Sequence, residues 1–139
     1  MDDSNLFSNQ SGDLPNEDAV ELADLILNGE HSKFPVNIIF SDDKELNKLN
    51  LKFRNKDQPT DVLSFPADPE LEVLGDIYIS VAAAIRQATD YNATVREEIL
   101  RLVCHGTLHL CGYDHHNPED ERTMKELESR YLSRFFKLC

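Results

Sequence analysis

Three of the five histidines in this sequence, at positions 105, 109 and 115, fall within one stretch of eleven residues. His105 and His109 are four residues apart, so on a helix both imidazoles project from one face, about a turn from each other. Both rings can then reach a single metal ion. Gly112 follows shortly afterwards, and glycine commonly ends a helix because it enters the left-handed backbone region without a Cβ penalty. The chain can therefore turn back and offer His115 to the same ion.

The turn is needed for three ligands to meet. In a continuous helix, His115 would lie about 15 Å further along the axis than His105, far outside a ligand bond of about 2.1 Å. Three imidazoles leave one position open on tetrahedral zinc, which is typical of catalytic rather than structural sites. The spacing therefore predicts one ion, zinc, in the region 94–116, although imidazole also suits nickel, copper and iron.

The same H-x-x-x-H-x-x-G-x-x-H frame occurs in the metzincin peptidases. This sequence departs from them at Gly106, where the peptidases carry the glutamate that serves as general base. A peptide-hydrolysing mechanism therefore lacks its proton acceptor, and the frame predicts a zincin-like scaffold with a different chemistry. Asp114, beside the third histidine, could accept a proton or orient an imidazole, and orientation is the commoner role. His116 falls one step past the ligand frame and is expected to be exposed.

Charge is unevenly distributed along the chain. The net charge of −12 argues against non-specific nucleic-acid binding by the whole surface, because phosphates would be repelled. Residues 44–56 are the exception, with five cations against Glu45 alone, a local balance of +4. Taken alone, this basic strip is best explained as the solvated face of a helix. The lysines of the strip are Lys44, Lys48, Lys52 and Lys56.

Length and composition suit one domain over residues 1–139, with 40% hydrophobic and 29% charged residues. No apolar run approaches the roughly 20 residues of a membrane span. The acidic start, Met-Asp-Asp-Ser-Asn, lacks the features of a signal peptide. An odd cysteine count fits a reducing compartment, so we expect a cytoplasmic protein without a membrane partner.

Periodicity predicts an α+β domain, with a small mixed sheet of about four strands packed against about five helices. Residues 1–13 are expected to be either a weak edge strand, at 5–8, or disordered. The helix that carries the histidines should bury one face on the sheet. In the helix that begins near Asp42, Leu46, Leu49 and Phe53 are expected to face the core. Strands are predicted at 35–41, 62–65 and 75–80, and helices from 16 to 29, 42 to 51, 81 to 88, 94 to 110 and from 118 onward.

Three segments together resemble a known family. The histidine segment HGTLHLCGYDH (105–115), the segment FRNKDQPTDVLSFP (53–66) and the segment LGDI (74–77) resemble the signature of the YbeY ribosome-maturation endoribonucleases. The likeness runs from about Pro35 to Tyr131, with the three motifs in the right order. The first 34 residues carry little of it.

The resemblance implies a metal-dependent, single-strand-specific endoribonuclease in ribosomal RNA processing, particularly at the 3′ end of 16S rRNA, and in ribosome quality control. It also implies partners among small-subunit components, metal ligands at His105, His109 and His115, and a functional arginine at Arg54. The planar guanidinium of Arg54 could bind phosphate bidentately, and we expect it to enter the metal cleft from the loop before the 62–65 strand. The four lysines of the strip become candidate RNA contacts. Two alternatives stay open: a zincin-like metallopeptidase, and a non-catalytic ribosome-assembly factor with a structural metal.

Overall fold

The computed structural model describes residues 14–56, 58, 60–114 and 116–138. This part of the chain forms five α-helices and three strands, which confirms the predicted α+β class and helix number. The sheet has one strand fewer than the four predicted, and the candidate strand at 5–8 lies outside the described residues. No described helix is long and apolar enough to cross a membrane. In chain order the elements are α1 (Asn16–Gly29), β1 (Val36–Ser41), α2 (Asp43–Arg54), β2 (Val62–Pro66), β3 (Gly75–Ser80), α3 (Val81–Asp90), α4 (Val95–Leu110) and α5 (Pro118–Leu138), with a 3₁₀ turn at Pro69–Leu71.

The sheet is mixed, in the order β1-β3-β2. β1 runs parallel to β3, whereas β2 is antiparallel to it and forms an edge of the described sheet. Ser64 of β2 pairs with Ile77 of β3, so both side chains lie on the face that contacts α4. Phe65 follows Ser64 and therefore points to the opposite face, which α2 partly covers.

Side chains cap four of the five described helices, at the starts predicted from the sequence. Asp42 and Ser80 each accept a hydrogen bond from the backbone N–H three residues later, at 2.8 and 3.1 Å. Thr94 and Glu97 form a complete capping box at the start of α4. Asn117 caps α5 just before its first residue, Pro118. These caps fix where these four helices begin, including the histidine helix.

The core lies between α4 and its neighbours. α4 contacts β2, β3, α1, α3 and α5, and its buried residues include Leu100, Leu102 and Val103. The prediction that Leu46 faces the core is confirmed, since its side chain is fully buried. The same prediction for Phe53 is wrong, because its side chain is 59% exposed. Phe53 belongs to the last turn of α2, where its ring meets the edge strand through Phe65 and has the Nζ of Lys52 over it.

Candidate functional site

A cleft of about 380 Å³ lies where the edge strand β2 faces α4 and α5. Four parts of the chain build it: the last residue of α2, the stretch from residue 60 into β2, one face of α4, and the first half of α5. The lining residues are Arg54, Thr60, Asp61, Val62, Ser64, Arg101, His105, His109, Glu121, Met124, Lys125 and Glu128.

His105 and His109 lie together in this cleft, one helical turn apart on α4. Both side chains are partly exposed, whereas Leu102, Val103 and Leu108 are buried in the core. One face of α4 is therefore apolar and packs in the core, and its polar edge lines the cleft.

The backbone turn after α4 follows the pattern that ends helices at glycine. Gly112 has φ +107°, in the region that favours glycine. Its N–H donates to the His109 carbonyl at 3.0 Å, and the Tyr113 N–H donates to the Leu108 carbonyl at 3.2 Å. These two bonds form a Schellman motif, which confirms that the helix ends at this glycine. His115 lies outside the described residues, so its approach to the other two rings stays a prediction.

A carboxylate anchors the turn that leads towards His115. The Tyr113 hydroxyl donates to Glu30 at 2.7 Å, and the Tyr131 hydroxyl of α5 donates to the other oxygen of the same carboxylate. The hydrogen bond to Glu30 is the main reason why the pKa of Tyr113 is raised. Glu30 thus ties the end of α1 to α5 and to the turn after α4, which fixes the chain two residues before the third predicted ligand.

Gly106 lets α4 approach the sheet closely. A Cβ atom at this position would lie 2.7 Å from Cγ2 of Ile77 and 3.0 Å from Oγ of Ser64. The Ser64 hydroxyl also donates to the Gly106 carbonyl at 3.2 Å. The position where peptidases carry their general base is therefore closed by the sheet, and a glutamate could not occupy it without displacing buried atoms.

We expect Gly106→Ala to lower the free energy of unfolding by about 1–2 kcal/mol. Overpacking a dense core costs about 1–3 kcal/mol, and the better helix propensity of alanine offsets up to about 1 kcal/mol of it. Ile77 is fully buried, so it has little room to yield. Urea denaturation checks the result, and the loss should shrink in an Ile77→Ala background. A Gly106→Ala protein at least as stable as the wild type would contradict the proposed close approach.

Two carboxylates lie near histidines, Glu128 beside His105 and Asp114 beside His116. Oε1 of Glu128, on α5, lies 3.5 Å from Nδ1 of His105. The other ring nitrogen, Nε2, is therefore the candidate metal-binding atom of His105. Asp114, predicted to orient an imidazole, has its carboxylate 2.9 Å from Nε2 of His116. His116 is exposed, as expected.

Two arginines line the cleft. Arg54 is the last residue of α2, so it reaches the cleft from a helix end and not from the loop that the sequence suggested. Arg101 was not predicted. Its Nε and Nη2 donate to the two oxygens of the buried Glu98 at 2.9 and 2.6 Å, a bidentate pair that fixes the guanidinium plane. Arg101 lies four residues before His105 on the same helix, a spacing that could have revealed it.

The lysines of the basic strip lie elsewhere. Within the described residues all four are exposed and none lines the cleft, whereas Lys125 of α5 does. Three of them, Lys44, Lys48 and Lys52, follow the outer face of α2. Any contact they make with a nucleic acid would therefore be outside the cleft.

The donor set of the cleft suits a metal that prefers nitrogen ligands. Two neutral imidazoles on one helical turn can bind zinc together. No group of three His, Cys, Asp or Glu side chains suited to a metal ion occurs among the described residues, a set that does not include His115. Cys104 is buried next to His105, and burial raises the pKa of its thiol, which fits packing and not metal ligation or nucleophilic attack.

Fold and cleft together define a class: a small α+β protein whose sheet-packed helix presents a histidine pair beside two arginines. The family profile of Endoribonuclease YbeY matches residues 7–136. The curated Endoribonuclease YbeY of Aquifex aeolicus is 43% identical over 106 residues, covering 73% of this chain and 71% of the relative. The relative from Carboxydothermus hydrogenoformans is 44% identical over 111 residues, covering 78% of each chain.

A solved structure agrees with these relatives. The solution structure of TM1509 from Thermotoga maritima is similar with a TM-score of 0.63 and 32% identity, covering 88% of this chain and 84% of that one. The chain belongs to the Endoribonuclease YbeY family.

Proposed function

We propose that this protein is a metal-dependent, single-strand-specific endoribonuclease that acts in ribosomal RNA maturation and ribosome quality control, with the 3′ end of 16S rRNA as a target. Family membership supports an RNA substrate. The observation that carries the mechanism is the meeting of His105, His109 and Arg54 in one cleft, from two separate helices. Phosphodiester cleavage needs both an electrophilic centre and a cation for the phosphoryl oxygens.

The histidines are the proposed ligands of a single zinc ion, with His115 as the third. When bound, zinc supplies Lewis-acid chemistry, which stabilises negative charge on phosphoryl oxygen and makes water more acidic. Glu128, whose carboxylate lies 3.5 Å from Nδ1 of His105, is the proposed partner that orients this ring so that Nε2 faces the ion. The Gly112 turn and the Tyr113 anchor hold the segment that precedes His115.

The arginines are the proposed phosphate ligands. Arg54 can bind two non-bridging oxygens through its fork and stays charged at any relevant pH. Arg101 keeps a fixed orientation because Glu98 takes up two of its five N–H groups, which leaves donors for a second phosphate or for the same one. A preorganised guanidinium does not have to reorganise when charge develops in the transition state.

The charged side chains of the cleft balance one another. Three cations, Arg54, Arg101 and Lys125, stand beside three carboxylates, Asp61, Glu121 and Glu128. A phosphate strand therefore gains little net attraction from the protein side chains alone. A divalent ion at the histidines would make the cleft positive, so RNA affinity is expected to depend on the metal and to fall with salt.

The decisive experiment compares three samples of the protein on an unstructured RNA: metal-loaded, chelator-treated, and chelator-treated with zinc restored. We expect cutting by the first and third samples only, and no cutting of the same RNA in a duplex. End-group analysis then separates the possible nucleophiles, since a 2′,3′-cyclic phosphate indicates attack by the 2′-hydroxyl. If metal-loaded protein leaves single-stranded and ribosomal RNA intact at every salt concentration, the nuclease proposal fails.

Two other functions have distinct outcomes in the same preparation. A metallopeptidase would release new amino termini from peptide libraries, but the sheet closes the position of its usual base at Gly106. A non-catalytic assembly factor would bind ribosomal RNA without cutting it, and its metal would have four protein ligands. Neither outcome is expected.

A further inference from the structure

An exposed aromatic side chain lies at the end of α2. Phe53 is 59% exposed, although the helical pattern points it towards the core. One side of its ring is supported by Phe65, with centroids 5.2 Å apart and planes tilted by 58°. Phe65 in turn meets Tyr78 edge-on at 5.9 Å. The ring of Phe53 is thus packed against Phe65, has the Nζ of Lys52 over it, and keeps more than half of the side chain exposed.

This ring lies one residue away in the chain from the lining of the cleft. Phe53 precedes Arg54 in the chain, and Phe65 follows Ser64, and both of those neighbours line the cleft. Because side chains alternate along a strand, Ser64 points to the α4 face of β2 while Phe65 points to the other. A flexible strand that crosses this sheet edge would meet the histidine cleft on one side and Phe53 on the other.

The charge around the ring suits a polyanion. Nζ of Lys52 lies 5.2 Å from the Phe53 ring centroid. Arg54 and Lys56 belong to the same basic strip, which has a net charge of +4 in a protein whose net charge is −12. An exposed aromatic ring beside flexible cations is an arrangement that proteins use to bind single-stranded nucleic acid, with a base stacked on the ring and phosphates on the cations. The long side chain of Lys52 can move from the ring to a phosphate when a base stacks there.

We propose that Phe53, supported by Phe65, stacks an unpaired base of the RNA strand whose phosphates occupy the cleft. The inference rests on the proposed endoribonuclease function and adds a binding subsite to it. A duplex cannot present a base face to this ring without unstacking it, so the subsite also gives a physical reason for single-strand specificity.

The test measures binding of a fluorescein-labelled, 2′-O-methylated pyrimidine 12-mer to metal-loaded protein by anisotropy. Phe53→Leu keeps an apolar side chain on Phe65 but removes the stacking face, and we expect Kd to rise about ten- to a hundredfold. Phe53→Trp should bind as well as the wild type or better. Phe34→Leu is the matched control, because Phe34 is 37% exposed and precedes β1, at the opposite edge of the described sheet from β2, and it should leave Kd unchanged.

A series of probes with one abasic nucleotide each locates the stacked base. At one position the abasic probe should weaken wild-type binding by the same factor as Phe53→Leu, and the two losses should not add. An unchanged Kd for Phe53→Leu, additive losses at every position, or no saturable binding by the wild type would each overturn the subsite. Cutting of the unmethylated RNA is read separately, so failure of the nuclease proposal is distinguishable from failure of the stacking proposal.

Discussion

Replacing His109 by alanine is expected to remove both the metal and the nuclease activity. A catalytic zinc site has three protein ligands, and two imidazoles bind the ion much more weakly. Purified wild-type protein should contain about one zinc per chain by elemental analysis, whereas His109→Ala should contain almost none. Its cleavage of single-stranded RNA should fall to the level of chelator-treated wild type. The helix should stay folded, because His109 is partly exposed and alanine favours helix.

The matched control for this prediction is His116→Ala, which removes an imidazole that the cleft does not include. It should keep both zinc and activity. Equal metal loss in the two variants would place His116 among the ligands and contradict the assignment of the 105, 109 and 115 set. Circular dichroism separates metal loss from unfolding, since the helical signal should be the same in all three proteins.

The sequence predicted local structure well because local signals determine it. Asp42, Ser80 and Thr94 cap helices by hydrogen bonds to backbone N–H groups three residues later, and Gly112 ends α4 by a local turn, so the predicted starts and end of these helices depend only on nearby residues. The i, i+4 spacing of His105 and His109 likewise requires only a helix. The predicted fourth strand depended on a weak pattern at 5–8, which lies outside the described residues.

Contacts between distant segments were harder to predict. Glu128 comes close to His105 only because α5 returns along α4, and nothing in the sequence near residue 128 marks it as a partner. At Gly106, the sequence showed only that the glutamate of the peptidases is absent. The structure explains why glycine stands there, because a side chain would meet Ile77 and Ser64. The wrong prediction for Phe53 has a similar cause. The helical pattern gives the direction of a side chain around the helix axis, but it does not show whether another element covers that turn of the helix.

Replacing Arg54 by alanine is expected to reduce kcat for RNA cleavage by at least about a hundredfold while zinc stays bound. Loss of one preorganised donor to a developing oxyanion typically costs 10²–10³ in rate, and Arg54 enters the cleft from α2, away from the histidine helix. Arg54→Lys keeps the charge but loses the planar fork, so we expect an intermediate activity. Single-turnover cleavage with metal content measured on the same samples checks both variants.

The control is Lys48→Ala, which removes a cation from the same helix but from its outer, exposed face. If Lys48 contacts RNA at all, its loss should weaken affinity in a salt-dependent way and leave the maximal rate unchanged. A maximal rate for Arg54→Ala within threefold of the wild type would show that Arg54 only helps to attract RNA. In that case Arg101, held by Glu98 on the opposite wall, would be the remaining arginine to stabilise the phosphoryl charge, and Arg101→Lys should then show the loss in kcat predicted here for Arg54.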